Sequence, residues 1–233
     1  MSHTIERINK YNQNGDKLSV LISQLALMGG HVESMFGQTL DALHNRNVIK
    51  ANLIANQKPE LAAMRQTIER DTEYLLTQQD FNAADLRRAL CAIKVVADIE
   101  RIGQLSTNIS RRLKAPSSMN ALPSITGILR LGKQVQRLLI SAMDALAHEN
   151  SSKAMQVYNS DDDIDRLHAT LESEILLLMQ DGGLNSPAGV DLMFIVRHFE
   201  RIADHASNIA KIVYYAQTAQ YIDQNIQHAN SHG

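Results

Sequence analysis

The sequence predicts an all-α protein built as two tandem three-helix bundles, related by internal duplication and a pseudo-twofold axis. Three observations carry the prediction. The chain repeats itself: residues 95–113 align without a gap on residues 195–213, so that Val96, Glu100, Arg101, Ile102, Asn108 and Ile109 recur 100 positions later. Apolar residues follow a helical period, as in Leu18, Leu21, Ile22, Leu25, Met28, Val32 and Phe36, which form one stripe. Strand signals are scarce, with four Phe, no Trp and no alternating Val/Ile runs.

The repeat extends upstream at a different offset. Leu25, Met28, Gly29, Val32, Asp41, Ala42 and Leu43 match Ile128, Leu131, Gly132, Val135, Asp144, Ala145 and Leu146, all 103 positions apart. Copy two is therefore three residues shorter, and the deletion is expected in the connection before the third helix, where loops absorb length changes. A period near 100 residues is too long for a solenoid unit and reads as two duplicated subdomains.

Six long helices are predicted, at 16–45, 48–78, 83–114, 123–149, 151–180 and 187–217. Asn82 and Asp85 form a capping pair for the third. Gly182-Gly183 ends the fifth by supplying positive φ. Ser186 caps the sixth, with Pro187 at its first position. Pro116-Ser117-Ser118 breaks the chain between the halves. Gly29 and Gly132 sit at equivalent mid-helix positions, where glycine costs about 1 kcal/mol; close helix–helix approach is the expected reason. The resulting division is a polar segment at 1–15, a first bundle at 16–115, a second at 119–217 and a polar tail at 218–233.

Composition narrows the function classes. Net charge is −2 with both signs intermixed, so no basic nucleic-acid face is indicated. No run approaches the roughly 20 apolar residues of a membrane span, and the N-terminus lacks a signal-peptide core. The single Cys91, in an apolar helical pattern, is expected to be a core thiol in a reducing compartment, and the expected location is the cytoplasm.

The two copies differ where chemistry is concentrated. Copy two carries Glu200, Asp204 and Asn208 at i, i+4 and i+8; copy one carries Glu100, Gln104 and Asn108. On the preceding helix, Asp161, Asp165 and His168 also share a face. If these faces meet, carboxylates crowd together, which raises their pKa values, and a cation relieves the repulsion. Oxygen-rich ligands with one His suit Mg, Mn, Fe or Zn. The competing reading is a solvated acidic run at 161–165 and an ordinary ion pair at Glu200-Arg201. His205 lies about 100° from Asp204 on the helix and is not expected to join them. A di-iron carboxylate bundle would need a second Glu-x-x-His pair, and Asp165-x-x-His168 has no twin. No phosphate-cradling loop or nucleophile motif is present.

The twin segments Glu100-Arg101-Ile102-Gly103 and Glu200-Arg201-Ile202-Ala203-Asp204, each followed by Asn-Ile, resemble the signature of the PhoU family of phosphate-uptake regulators. So do Leu27-Met28-Gly29-Gly30-His31-Val32-Glu33 and Ala84-Asp85-Leu86-Arg87. The resemblance covers residues 16–217. It implies two PhoU-like bundles, a metal-binding Glu/Asp-x-x-x-Asp motif per repeat, and no catalytic activity. It further implies an adaptor that negatively regulates phosphate-starvation signalling, with the ATP-binding subunit of the phosphate ABC importer and a membrane sensor histidine kinase as partners. The membrane is then reached only through those partners, and a homodimer is expected if apolar positions stay exposed. Copy one departs from the pattern: Gln104 replaces the motif aspartate, and Asp161 and Asp165 correspond to Lys58 and Ala62, or to Gln57 and Leu61 in the neighbouring register. A divalent or trivalent ion (Fe, Zn, Mn or Mg) is therefore expected at copy two only. The alternative is a metal-dependent hydrolase using the Asp161, Asp165, Glu200 and Asp204 cluster.

Overall fold

The computed structural model describes residues 17–77, 81–113, 126–160 and 163–222 in full, and the backbone alone of 2–16, 125 and 162. Among the described residues the chain forms eight helices: α1 (Ser2–His44), α2 (Val48–Ala55), α3 (Lys58–Thr77), α4 (Ala83–Arg112), α5 (Ile125–Ala147), α6 (Ser151–Tyr158), α7 (Asp162–Gln180) and α8 (Ser186–Thr218). No strand occurs among them. None of these helices is long and apolar enough to cross a membrane.

Each predicted second helix is broken in two. In the first repeat the break follows the C-cap Asn56, and Pro59 occupies the first turn of α3, where its missing N–H costs nothing. In the second repeat the break follows Asn159, the equivalent C-cap, without any proline. Asp162, Asp163 and Asp165 therefore lie in the first turn of a helix, α7, where the helix dipole favours negative charge, rather than inside one. Helix α1 starts at Ser2, well before residue 16, because its polar opening contains no breaker except Gly15. Residues 114–124, including Pro116-Ser117-Ser118, and 223–233 of the tail lie outside the described residues.

The caps show where the length difference lies. Asn82 accepts from the Asp85 N–H at 2.8 Å, and Asn185 accepts from the Ala188 N–H at 2.9 Å, so Asn185 rather than Ser186 is the cap. The two caps are 103 apart, as are the helices before them, whereas Glu100 and Glu200 are 100 apart. The connections are thus equal in length. The three missing residues fall inside the helix, between cap and signature, close to one turn, so most of the buried face is preserved.

The pseudo-twofold relation is visible in packing. A Cβ on Gly29 would meet Met143 Sδ at 2.6 Å, and one on Gly132 would meet Leu40 Cδ2 at 2.5 Å. Leu40 and Met143 are themselves equivalent residues, so the α1–α5 contact is reciprocal, as a twofold requires. The turn after each of these helices is also repeated. Arg46 (φ 52°) and Glu149 (φ 48°) adopt the left-handed conformation. Asn47 and Asn150 then cap the next helix, and Lys50 and Lys153 pair with Asp41 and Asp144.

The two repeats share one core. Helix α4 packs along α8 and α1 along α5, so the inner helices of each repeat face those of the other. Buried residues from Leu18 to Val213 form a single cluster. Cys91 is buried within the α4 face, and burial pushes its thiol up, which suits a core residue and not a nucleophile.

Candidate functional site

Helices α7 and α8 bring Asp165, His168, Glu200 and Asp204 to one surface. Burial and then the neighbouring Asp204 raise the Glu200 carboxyl, with Asp165 adding to the effect and His168 opposing it. Burial and then Asp165 raise the Asp204 carboxyl. Asp165 and His168 thus act on Glu200, and Asp165 on Asp204, and the two carboxylates on α8 are held in a setting that disfavours their charged forms. His168 is largely buried; its Nε2 makes no hydrogen bond and lies 3.4 Å from Glu172 Oε1.

In donor chemistry this set fits a hard or borderline cation: carboxylate oxygens short of positive charge and an imidazole nitrogen that makes no hydrogen bond. The positions stop short of closure. Among the described residues, no three His, Cys, Asp or Glu side chains stand close enough together to hold a metal ion. Asp161 lies outside the described residues. Side-chain rotation of Asp165 and Asp204, both exposed, is what an ion would have to induce.

Asn208 is not part of this surface. Its amide donates to Asp98 Oδ2 on α4 at 2.6 Å, and His205 Nδ1 lies 2.8 Å from the other oxygen of the same carboxylate. The drift of about 40° per four residues, about 80° between Glu200 and Asn208, is enough to turn Asn208 from α7 towards α4. His205 is where the helical wheel puts it, away from Asp204.

The first repeat solves the same electrostatic problem differently. Glu100, 9% exposed, accepts from Arg65 Nη1 at 2.7 Å, and Arg65 Nε donates to Glu69 at 2.7 Å. Arg65 and Glu69 correspond to His168 and Glu172 at the 103 offset. Where the second repeat places the His168 imidazole beside Glu172, the first inserts a permanent guanidinium onto its motif glutamate. The same offset in the sequence pairs Arg65 with His168 and is the signal that identifies this ion pair. Gln104 accepts from Arg101 at 3.0 Å, Asn108 takes a 3.4 Å contact from Arg111, and Lys58 faces solvent, so none of these completes a cation site.

On the opposite flank of α8, His198 packs among arginines. Burial and the charges of Arg201, Arg112, Arg101 and Arg197 push its imidazole down to about 4.

Comparison with known proteins agrees with this duplicated plan. The family model described as PhoU domain matches twice, over residues 25–113 and 128–213. The phosphate-specific transport system accessory protein PhoU homolog of Caulobacter vibrioides (strain NA1000 / CB15N) is 29% identical over 207 residues, covering 88% of this chain and 90% of that protein. Its Zymomonas mobilis counterpart is 29% identical over 225 residues, covering 96% and 92%. The crystal structure of PhoU from Pseudomonas aeruginosa superposes with a TM-score of 0.83 at 28% identity, covering 88% of this chain and 99% of that one. The phosphate transport system regulatory protein PhoU from Streptococcus pneumoniae gives the same TM-score at 25% identity, covering 90% and 99%. With both repeats matched, and the duplicated motif on the equivalent helices α4 and α8, this chain belongs to the PhoU family.

Proposed function

We propose that this protein is a non-catalytic adaptor that represses phosphate-starvation signalling, coupling the ATP-binding subunit of the phosphate ABC importer to its sensor histidine kinase. The observation that carries the reading is the paired PhoU match over both repeats, together with relatives named as accessory and regulatory proteins of phosphate transport. The fold suits the task, because a single continuous core makes both bundles one rigid platform with a broad mixed-charge exterior. Deleting the gene should raise alkaline phosphatase activity in phosphate-replete cells, and a plasmid copy should lower it again. Unchanged low activity in the deletion strain would count against the repressor role. Turnover of a generic phosphate monoester in added Mn would overturn the non-catalytic part.

The second repeat is the proposed metal centre, with Asp165, Glu200, Asp204 and His168 as ligands. A bound divalent or trivalent ion would neutralise the carboxylates and lock α7 to α8. This gives a crossing prediction. In chelator-treated protein, Asp204→Asn should be neutral or stabilising, by about 0.5 kcal/mol at most, because it removes a disfavoured charge. With metal present the same variant should be the less stable protein and bind the ion at least about tenfold more weakly. Thermal melts with and without metal check both arms. Identical melting differences in the two conditions would show that Asp204 does not meet the ion.

A further inference from the structure

The long contact between α4 and α8 carries two grooves related by the 100-residue offset. One is lined by Cys91, Lys94, Asp98, Asn208 and Lys211, among others. The other, of about 540 Å³, is lined by Asn108, Arg111, Arg112, Asp191, Phe194 and His198. Position by position, Asp98 corresponds to His198, Asn208 to Asn108 and Lys211 to Arg111.

The first groove has its own anion. The Asp98 carboxylate takes the Asn208 amide on one oxygen and meets His205 on the other. The second groove keeps the asparagine, Asn108, and a cation, Arg111, at the equivalent positions but lacks that carboxylate, since His198 stands in its place; Phe194 and Leu105 replace Lys94 and His205. Among the described residues the Asn108 amide nitrogen meets no acceptor, and its oxygen receives only the 3.4 Å contact from Arg111. His198 Nδ1 is buried without a hydrogen bond. The groove's carboxylate, Asp191, is taken up by Arg112 at 3.0 Å, and the Arg112 guanidinium is further fixed over the Phe194 ring at 4.1 Å. Arg111 lines the same groove, and Arg101, Arg197 and Arg201 act on His198 from around it.

We propose that the His198 groove is an anion site, which binds a phosphate-class oxyanion where the sister groove holds the Asp98 carboxylate. The Asn108 amide and the Arg111 guanidinium are its donors, and Arg112, held in place by Asp191 and Phe194, supplies positive field. Guanidinium groups outnumber carboxylates here, which favours a doubly charged tetrahedral oxyanion over a carboxylate, and the planar fork offers paired N–H donors. The anion is either free inorganic phosphate or a phosphate ester; both present the same oxygens.

The test is thermal melting of the full chain in inorganic phosphate, phenyl phosphate, acetate and chloride at matched ionic strength. Inorganic phosphate should give a saturable rise in melting temperature. Arg111→Ala, an exposed change that leaves the core intact, should weaken that response by about tenfold or more. His198→Asp, which installs the internal carboxylate of the sister groove, should abolish it. Phenyl phosphate matching inorganic phosphate extends the site to esters, and phenyl phosphate without effect restricts it to the free ion; both support it. A rise no larger than in chloride, acetate as effective as phosphate, or an unchanged response in both Arg111→Ala and Asn108→Ala overturns the proposal. So does a response lost in Asp204→Asn and kept in Arg111→Ala, which would move the anion to the acidic cluster.

Discussion

Phe199→Ala should destabilise the whole chain by about 3–5 kcal/mol, the range for removing a fully buried aromatic ring. Phe199 is 0% exposed and meets Phe36 edge-to-face, with ring centroids 5.7 Å apart and an interplanar angle of 83°. A Cβ on Gly132 would lie 3.1 Å from the same ring. One side chain of α8 thus touches α1 of the first repeat and α5 of the second, where three helices from two repeats converge. The cavity left by truncation would be lined from both halves, and the rigid backbone approach at Gly132 limits how far it can collapse. Because the buried residues form one cluster, unfolding should remain a single transition, shifted to lower urea with an unchanged slope. Circular dichroism during urea titration checks this. Two separate transitions, or a loss below about 2 kcal/mol, would mean that the repeats fold as independent units or that the ring is dispensable.

That core was legible in the sequence because helical burial has a period. Of the stripe, Leu18, Leu21, Leu25, Met28, Val32 and Phe36 are buried as the spacing requires, and Ile22 is half-buried at its edge. Gly29 and Gly132 mark the close approach that the duplicated glycines suggest. What period cannot reveal is where a helix pauses without a breaker. Pro59 signals the first interruption, but its equivalent after Asn159 has no proline and follows only from the repeat. Nor does period fix how a helix is rotated among several neighbours. Asn208 shares a nominal face with Glu200 and Asp204, yet α4 as well as α7 flanks α8, and Asp98 captures the amide. The three-residue deletion lies within the helix rather than in the connection for a related reason. Loops tolerate insertions in general, but a change close to one helical turn is also tolerated within a helix, and the Asn82 and Asn185 caps place it there.

Arg65→Met should cost about 1–3 kcal/mol, and added metal should not restore the loss. Glu100 is buried in α4, and Arg65 is its cationic partner at 2.7 Å. Removing one member of a buried ion pair typically costs about 3–5 kcal/mol, because the other charge is left without compensation. Here Arg65 is 38% exposed, so water recovers part of that penalty and the lower range applies. Met keeps most of the side chain's packing, which isolates the charge from the stem. Arg65→Lys should lose less, since the charge stays while the fork that joins Glu69 and Glu100 is lost. The metal arm separates two accounts of the first repeat. If a guanidinium has replaced the cation, the site has lost its other ligands too, because Gln104 and Ala62 stand where the second repeat has Asp204 and Asp165. A cation offered to Arg65→Met would then find two carboxylates, Glu69 and Glu100, and one amide, where the second repeat offers Asp165, Glu200 and Asp204 beside Glu172, too little charge to displace its hydration shell. Thermal melts of Arg65→Met across a metal titration decide the matter. Recovery of wild-type stability at metal concentrations that saturate the second repeat would show a latent ion site in the first, and the asymmetry between the repeats would be one of affinity rather than of chemistry.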